Sequence, residues 1–286
     1  MITKVAELQD WSRRQHAEGR RIGLVPTMGA LHEGHLSLVR AANEHCDSTV
    51  VSIFVNPTQF GPHEDFHRYP RPLENDLKLL ETVGSPEIFV PDVEEMYPEG
   101  FDVSVHVGGV TQSFEGRSRP THFAGVATIV LKLFMASGAD AAFFGQKDYQ
   151  QAGVIRKMVA DLNIPTEIVV CPIIRESDGL AMSSRNRYLS DSQRVRAASL
   201  SISLEAARKM IVEEKVRDVE TVRAMMRKII LASPEAEIDT VIDYVALADP
   251  ATLREIDEID RPEIVVLLAV RIGTTRLIDN ALISTV

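Results

Sequence analysis

Through the first part of the chain, short apolar runs alternate with stretches in which apolar residues recur at helical spacing. The runs predict strands over Ile22–Pro26, Thr49–Val55, Glu87–Pro91, Ala141–Phe144 and Thr166–Cys171, and the helical spacing predicts helices over Leu36–Glu44, Leu73–Val83, Phe123–Ala136 and Tyr149–Leu162. The strand runs are continuously rich in Val, Ile and Phe, the mark of strands buried on both faces, so a parallel sheet with helices on both sides is expected. After Asp178-Gly179 the order changes. Helical patterns over Asp191–Glu214 and Val219–Ala232 come first, then strand-like runs at Asp239–Ala248, Ile264–Arg271 and Thr275–Asp279. Helices followed by strands predict a smaller α+β unit. The expected organisation is α/β overall: a Rossmann-like domain over residues 1–173 and a smaller α+β domain over 174–286. There is no internal repeat and no low-complexity segment.

The join between the first strand and the helical pattern from Leu36 reads Pro26-Thr27-Met28-Gly29-Ala30-Leu31-His32-Glu33-Gly34-His35. A glycine-bearing turn ahead of a helix gathers backbone N–H groups at a positive helix end, which is what holding phosphate requires. His32 and His35 fall on one face of a helical turn and can donate to the same polyphosphate. Solvated loop histidines or a metal pair give the same spacing. The zinc-protease helix, however, needs its histidines four apart, and no His/Cys cluster elsewhere supplies a third ligand. The Gly-x-Gly-x-x-Gly turn of a dinucleotide binder is absent, so this turn must hold phosphate differently.

Further candidates lie at the ends of other strands and far downstream. Asn56-Pro57-Thr58-Gln59-Phe60 closes the second strand, and Phe143-Phe144-Gly145-Gln146-Lys147-Asp148-Tyr149-Gln150-Gln151 runs from the fourth strand into a helix. Polar residues at carboxyl ends of strands are where an open α/β sheet binds ligands. Gly179-Leu180-Ala181-Met182-Ser183-Ser184-Arg185-Asn186 offers two hydroxyls, backbone donors and a permanently charged guanidinium, a set able to clamp phosphate oxygens. Lys147 or this Ser/Arg loop alone would read as ordinary surface chemistry.

Together, the His-x-x-His turn and the Met-Ser-Ser-Arg loop resemble the HIGH and KMSKS elements of the nucleotidyltransferase superfamily. Adding Tyr69-Pro70-Arg71, Arg119-Pro120-Thr121-His122-Phe123 and Gly273-Thr274-Thr275-Arg276-Leu277-Ile278-Asp279-Asn280, the ordered motif set closely resembles the pantothenate synthetase family. The resemblance implies that ATP and pantoate give a pantoyl adenylate and pyrophosphate, after which β-alanine displaces AMP. It implies that Pro26 to His35, Gly145, Gln146, Lys147, Asp148, Ile174, Met182, Ser183, Ser184 and Arg185 bind ATP. His32, His35, Lys147 and Arg185 would stabilise the charge that grows in the transition state, with His35 the proton donor. Gln59 and Gln151 would hold pantoate, Gln59 also β-alanine, with Asn56 assisting; Arg119 and His122 would touch substrate or order the site. Met182–Arg185 would be brought over the ATP by the smaller domain. Mg2+ is expected with ATP, and Asp76, in the helix where the family tends to carry acidic residues, is the candidate ligand. A homodimer is expected from the same resemblance and from the apolar stretch around Val103–Val110. A cytidylyltransferase-like enzyme or an aminoacyl-tRNA synthetase fragment would share the two phosphate motifs, and a non-catalytic nucleotide-binding module remains a third class.

Composition narrows the partners. Lys and Arg number 31 against 41 Asp and Glu among 286 residues, a formal charge of −10, which disfavours a general nucleic-acid surface. Hydrophobic residues make up 45%, enough for a sizeable core. Cys46 and Cys171 are too few for a disulfide framework and sit in or beside apolar segments, so buried reduced thiols are expected. With no basic-then-apolar leader and no run long enough to span a bilayer, a soluble cytoplasmic protein is expected.

Overall fold

In the computed structural model, which describes residues 1–62, 64–232 and 239–286, five strands form one parallel sheet. They are β1 (Ile22–Thr27), β2 (Ser48–Ile53), β3 (Glu87–Phe89), β4 (Ala141–Gly145) and β5 (Glu167–Cys171), in the order β3-β2-β1-β4-β5. The helices of this part are α1 (Val5–Ala17), α2 (Glu33–His45), α3 (Leu73–Glu81), the short α4 (Val93–Met96) and α5 (Glu115–Ser118), α6 (His122–Ser137) and α7 (Tyr149–Asp161). Side chains alternate along each strand. Val25, Val51, Phe143 and Cys171 therefore join Leu36, Val39 and Ala42 of α2 in one core. Leu24, Val50, Ala142 and Phe144 point the other way and are just as buried, while α1 and α6 also pack against β1. Both faces are covered, which is why the strands read as unbroken apolar runs.

The chain divides into two units, Met1–Gln146 with Gln150–Pro172, and Lys147–Tyr149 with Ile173–Val286. In the second, α8 (Asp191–Ala197), α9 (Ser199–Val212) and α10 (Val219–Leu231) precede the antiparallel strands β6 (Thr240–Ala248), β7 (Glu263–Ile272) and β8 (Thr275–Ser284), in the order β6-β7-β8. Leu200, Leu204 and Ile211 of α9 and Val222, Met226 and Ile230 of α10 share a core with Val266, Leu268 and Leu277 of the sheet.

Several elements differ from the sequence pattern. Helix α1 was not expected, because only Leu8 and Ser12 of its thirteen residues are buried and so sparse a stripe gives no clear period. Helix α2 begins at Glu33, three residues before the predicted start, and takes His32 as its N-cap. The long helical pattern from Asp191 breaks at Ala198 into α8 and α9. Strand β8 continues to Ser284, five residues past the predicted end. The apolar stretch at 103–110 forms no strand, and Val103 is 66% exposed.

The order β3-β2-β1-β4-β5 places β1 where the winding reverses: β2 and β3 follow on one side, β4 and β5 on the other. In open α/β sheets the carboxyl ends of strands at such a reversal are where ligands bind. Here those ends are the turn after Thr27 and the residues after Phe144.

Candidate active site

The turn leaving β1 is tied down at each step. The Thr27 hydroxyl donates to the Ser52 carbonyl at 2.7 Å and accepts the Gly29 N–H at 3.2 Å. Gly29 and Ala30 both lie in the left-handed backbone region, at φ +76° and +51°. A Cβ on Gly29 would also be tight, 3.1 Å from both an Asp76 oxygen and the Ile53 Cγ2. For Ala30 the conformation is strained, and what holds it is Asp76 of α3. The carboxylate accepts the Ala30 N–H on Oδ2 and the Leu31 N–H on Oδ1, both at 2.8 Å, and is 1% exposed. Asp76 is the sequence candidate for a magnesium ligand; here both of its oxygens accept backbone N–H groups, which shapes the turn. Among the described residues no group of three or more His, Cys, Asp or Glu side chains is arranged to hold a metal ion.

This shaping delivers the two histidines. His32 caps α2, and its N–H donates to His35 Nδ1 at 3.4 Å; the two rings lie 4.1 Å apart, centroid to centroid. With Nδ1 accepting, a neutral His35 ring carries its proton on Nε2. That tautomer can donate toward an anion near the helix N-terminus, where the dipole favours negative charge.

At the end of β2, Asn56 and Gln59 are both buried. Asn56 Nδ2 donates to Gln59 Oε1 at 3.0 Å and to the Gly125 carbonyl at 3.2 Å. Its Oδ1 accepts from the Thr58 hydroxyl at 2.9 Å and from Tyr97 OH at 2.8 Å. Asn56 thus spends its donors and acceptor inside the protein and fixes the Gln59 amide with its oxygen inward. α6 approaches so closely that a Cβ on Gly125 would lie 2.4 Å from the Thr58 carbonyl oxygen. The backbone of Gln59 is gripped too: its carbonyl accepts from Arg119 Nη2 at 3.1 Å and His122 Nδ1 at 2.9 Å, while Arg119 forms a two-point pair with Glu64 at 2.6 and 2.7 Å. Burial, reinforced by the Arg119 charge, lowers the His122 pKa to about 4, so this ring is neutral at ordinary pH. Arg119 and His122 both hold the Gln59 carbonyl, which fits the ordering role, one of the two the motif left open. Gln151 is half-buried in the first turn of α7. Its neighbour Gln150, which sequence reasoning passed over, closes the 110–115 loop through the Val110 and Ser113 carbonyls, each at 2.8 Å, and the Glu115 N–H at 3.0 Å.

The second unit carries the other candidates. Lys147 lies in a short 3-10 helix, Gln146–Asp148; its ammonium is 3.9 Å from an Asp148 carboxylate oxygen, and its carbonyl accepts from Asn280 Nδ2 at 3.0 Å. Ile174 and Met182, expected near ATP, face each other across a small hairpin, Met182 N–H donating to the Ile174 carbonyl at 3.0 Å. Arg175 on this hairpin pairs at two points with buried Asp279, at 2.6 and 3.1 Å, and donates to the Gly179 carbonyl. Arg194 ties Glu176 and Asp178, and Asn186 donates to Glu176 at 2.6 Å. Ser183, Ser184 and Arg185 follow directly, Ser183 capping the next turn through the Arg185 N–H.

Comparison with known proteins decides the family. A family model described as pantoate-beta-alanine ligase matches residues 1–282. The chain belongs to the pantoate-beta-alanine ligase family. It is 53% identical over 283 residues to the pantothenate synthetase of Acetivibrio thermocellus, covering 99% of each chain, and 51% identical over 282 residues to that of Rhodopirellula baltica, covering 98% and 97%. The crystal structure of the Thermus thermophilus pantothenate synthetase is similar with a TM-score of 0.91 at 44% identity over 98% of each chain. A second ligase structure, from Francisella tularensis, is complexed with beta-gamma ATP and beta-alanine; it aligns with a TM-score of 0.79 at 32% identity, covering 99% and 97%. Within this family the five-stranded parallel sheet and separate antiparallel sheet are the expected architecture.

Proposed function

We infer that this chain condenses pantoate with β-alanine at the expense of ATP, through a pantoyl adenylate, releasing AMP and pyrophosphate. The observation that carries the reading is the Pro26–His35 turn, placed at the winding reversal of the sheet in a chain of the ligase family. A pantoate carboxylate oxygen attacks the α-phosphorus of ATP, and the bond to the β-phosphate oxygen breaks. Negative charge grows on the α-phosphoryl oxygens and the departing pyrophosphate. The β-alanine amine then adds to the acyl carbon, the bond to AMP breaks, and the amine gives up a proton as the amide forms.

The proposed roles follow from what each group can donate. The N–H groups at the start of α2, with His32 and His35, face phosphate oxygen, and His35 donates a hydrogen bond to it from Nε2. Lys147 and Arg185 stabilise the charge on the transferring group, and the Ser183 and Ser184 hydroxyls donate to it. Gly145, Gln146 and Asp148 with Ile174 and Met182 complete the nucleotide contacts. Gln59, its amide oxygen held by Asn56, turns its NH2 toward pantoate and later β-alanine, while Gln151 contacts pantoate. Magnesium enters as MgATP, held chiefly by phosphate oxygens and water. We place the enzyme in the cytoplasm as a homodimer; no helix among the described residues is long and apolar enough to cross a membrane.

The test is an omission series with ATP, magnesium, pantoate and β-alanine. AMP and pyrophosphate should form only with pantoate present, and amide only when β-alanine is added. Release of ADP and phosphate would overturn the adenylate. A mass near 31.7 kDa by light scattering at micromolar concentration would refute the dimer.

A further inference from the structure

Asn280 is an anomaly in β8. The alternate residues Leu277, Ala281 and Ile283 face the core beneath α9 and α10, so Asn280 lies on the opposite face of a strand at the sheet edge, and yet it is 2% exposed. A buried carboxamide costs stability unless it is satisfied, and one partner it finds is the Lys147 carbonyl at 3.0 Å. The preceding residue, Asp279, is equally buried on the core face, where it holds Arg175 at two points and accepts the Asn280 N–H at 2.8 Å. Arg175 in turn holds the Gly179 carbonyl of the hairpin that leads into Ser183–Arg185. Consecutive residues of one strand thus grip the main chain of Lys147 on one face and the hairpin on the other.

We propose that Asn280 is a positioning residue for the adenylation step: it fixes the backbone of Lys147, while Asp279 sets the hairpin in register with it. This rests on the assignment of Lys147 to the reaction. An ammonium on a four-carbon stem gains its catalytic value from where its main chain is anchored, and an error on the ångström scale is enough to cost rate. The Lys147 side chain is 21% exposed and its ammonium lies 3.9 Å from Asp148, whereas its carbonyl is held by Asn280 at 3.0 Å.

The experiment is a double-mutant cycle on the full chain, read as single-turnover pyrophosphate release with ATP, magnesium and pantoate. Asn280→Ala should slow release by about tenfold with the KM for pantoate unchanged, and Asn280→Asp, which keeps the shape but removes the donor, should do the same. The decisive readout is coupling: Lys147→Ala with Asn280→Ala should be no slower than Lys147→Ala alone. Multiplying losses, or Asn280 variants near the wild-type rate beside a slow Lys147→Ala, would overturn the inference while leaving Lys147 in place. Loss of the folded state in both Asn280 variants would show that the residue serves the fold and would equally overturn it. Wild-type behaviour of Lys147→Ala would overturn the assignment of Lys147, and the inference with it.

Discussion

At the end of β1 a single carboxylate, Asp76, fixes consecutive N–H groups of a turn whose course the parallel sheet already sets. Around the Ile174–Met182 hairpin the same order needs ion pairs among Arg175, Asp279, Glu176, Asp178 and Arg194. The contrast follows from what lies beneath each. A turn continuing a central strand inherits its direction from neighbours on both sides, and one well-placed acceptor completes it. A small hairpin outside any sheet has no such neighbours, so side chains from elsewhere must supply its geometry, one of them 104 residues away. The first support is buried; the second is mixed, with a buried anchor at Asp279 and partly exposed pairs toward the tip.

The largest expected effect breaks the first region. Asp76→Ala leaves the Ala30 and Leu31 N–H groups buried without acceptors, at roughly 2 kcal/mol each, so about 4 kcal/mol of stability should be lost. Asp76→Asn, which keeps one acceptor oxygen, should lose about half of that. Urea unfolding measures both, with ATP binding followed in parallel. If Asp76→Ala unfolds at the wild-type midpoint and binds ATP normally, the sheet alone suffices to hold the turn.

Next comes chemistry, compared across the two regions. Replacing His35 or Lys147 by Ala should slow adenylate formation by roughly a hundredfold or more while thermal unfolding stays near wild type, since each removes one pre-placed donor to developing charge. Equal losses would mean that the turn and the second unit serve the same step. A loss confined to one would assign the step to that region.

How legible each region was follows the same line. The turn could be read because its residues are contiguous and its strand is an unbroken apolar run. The parallel sheet could be anticipated because burial on both faces leaves a continuous Val/Ile/Phe signature, whereas the strand order could not. Helix α1 could not, with only Leu8 and Ser12 buried. The task of Asp76 was hidden because it depends on where α3 packs, not on spacing; an Asp in the first turn of a helix has many uses. The predicted end of β8 at Asp279 is instructive in another way: the polar pair Asp279-Asn280 interrupts the apolar pattern, and these are the residues that tether Arg175 and Lys147. A pattern reader takes such a break for a strand end, whereas two adjacent polar residues inside an apolar strand are themselves a sign of buried partners.

The buried supports of the first unit carry a pH signature. The folded-state pKa of His122 is depressed from 6.5 to about 4 by burial and the Arg119 charge. The unfolded chain therefore binds the extra proton between those values, and stability is complete above about pH 6.5 and falls as pH drops toward 4. Between pH 7 and pH 5 the loss from this group should be about 2 kcal/mol. For Glu64, burial works to raise the pKa but the Arg119 hydrogen bonds outweigh it, so its folded value lies below the ordinary one, and its contribution is lost only at lower pH. His122→Asn should flatten the pH 7 to 5 segment of the stability curve. An unchanged slope in that variant would show that His122 is not the titrating group.

The smallest effect belongs to the hairpin. Arg194 pairs with Glu176 and Asp178 at 2.6 and 2.7 Å, yet its side chain is 29% exposed and theirs 28% and 34%. Water can replace either contact, so Arg194→Gln should cost only about 1 kcal/mol. Ionic strength then separates the two regions. Ions reach a partly exposed pair and screen it, whereas a buried carboxylate accepting backbone N–H groups is shielded from them. Comparing urea unfolding at low salt and at roughly 0.5 M sodium chloride, the Arg194→Gln deficit should shrink by about half, while that of Asp76→Ala stays the same. An Arg194→Gln loss as large as that of Asp76→Ala and insensitive to salt would mean that the hairpin is held as rigidly as the turn. The contrast between a turn fixed by the sheet and a hairpin fixed by its side chains would then fail.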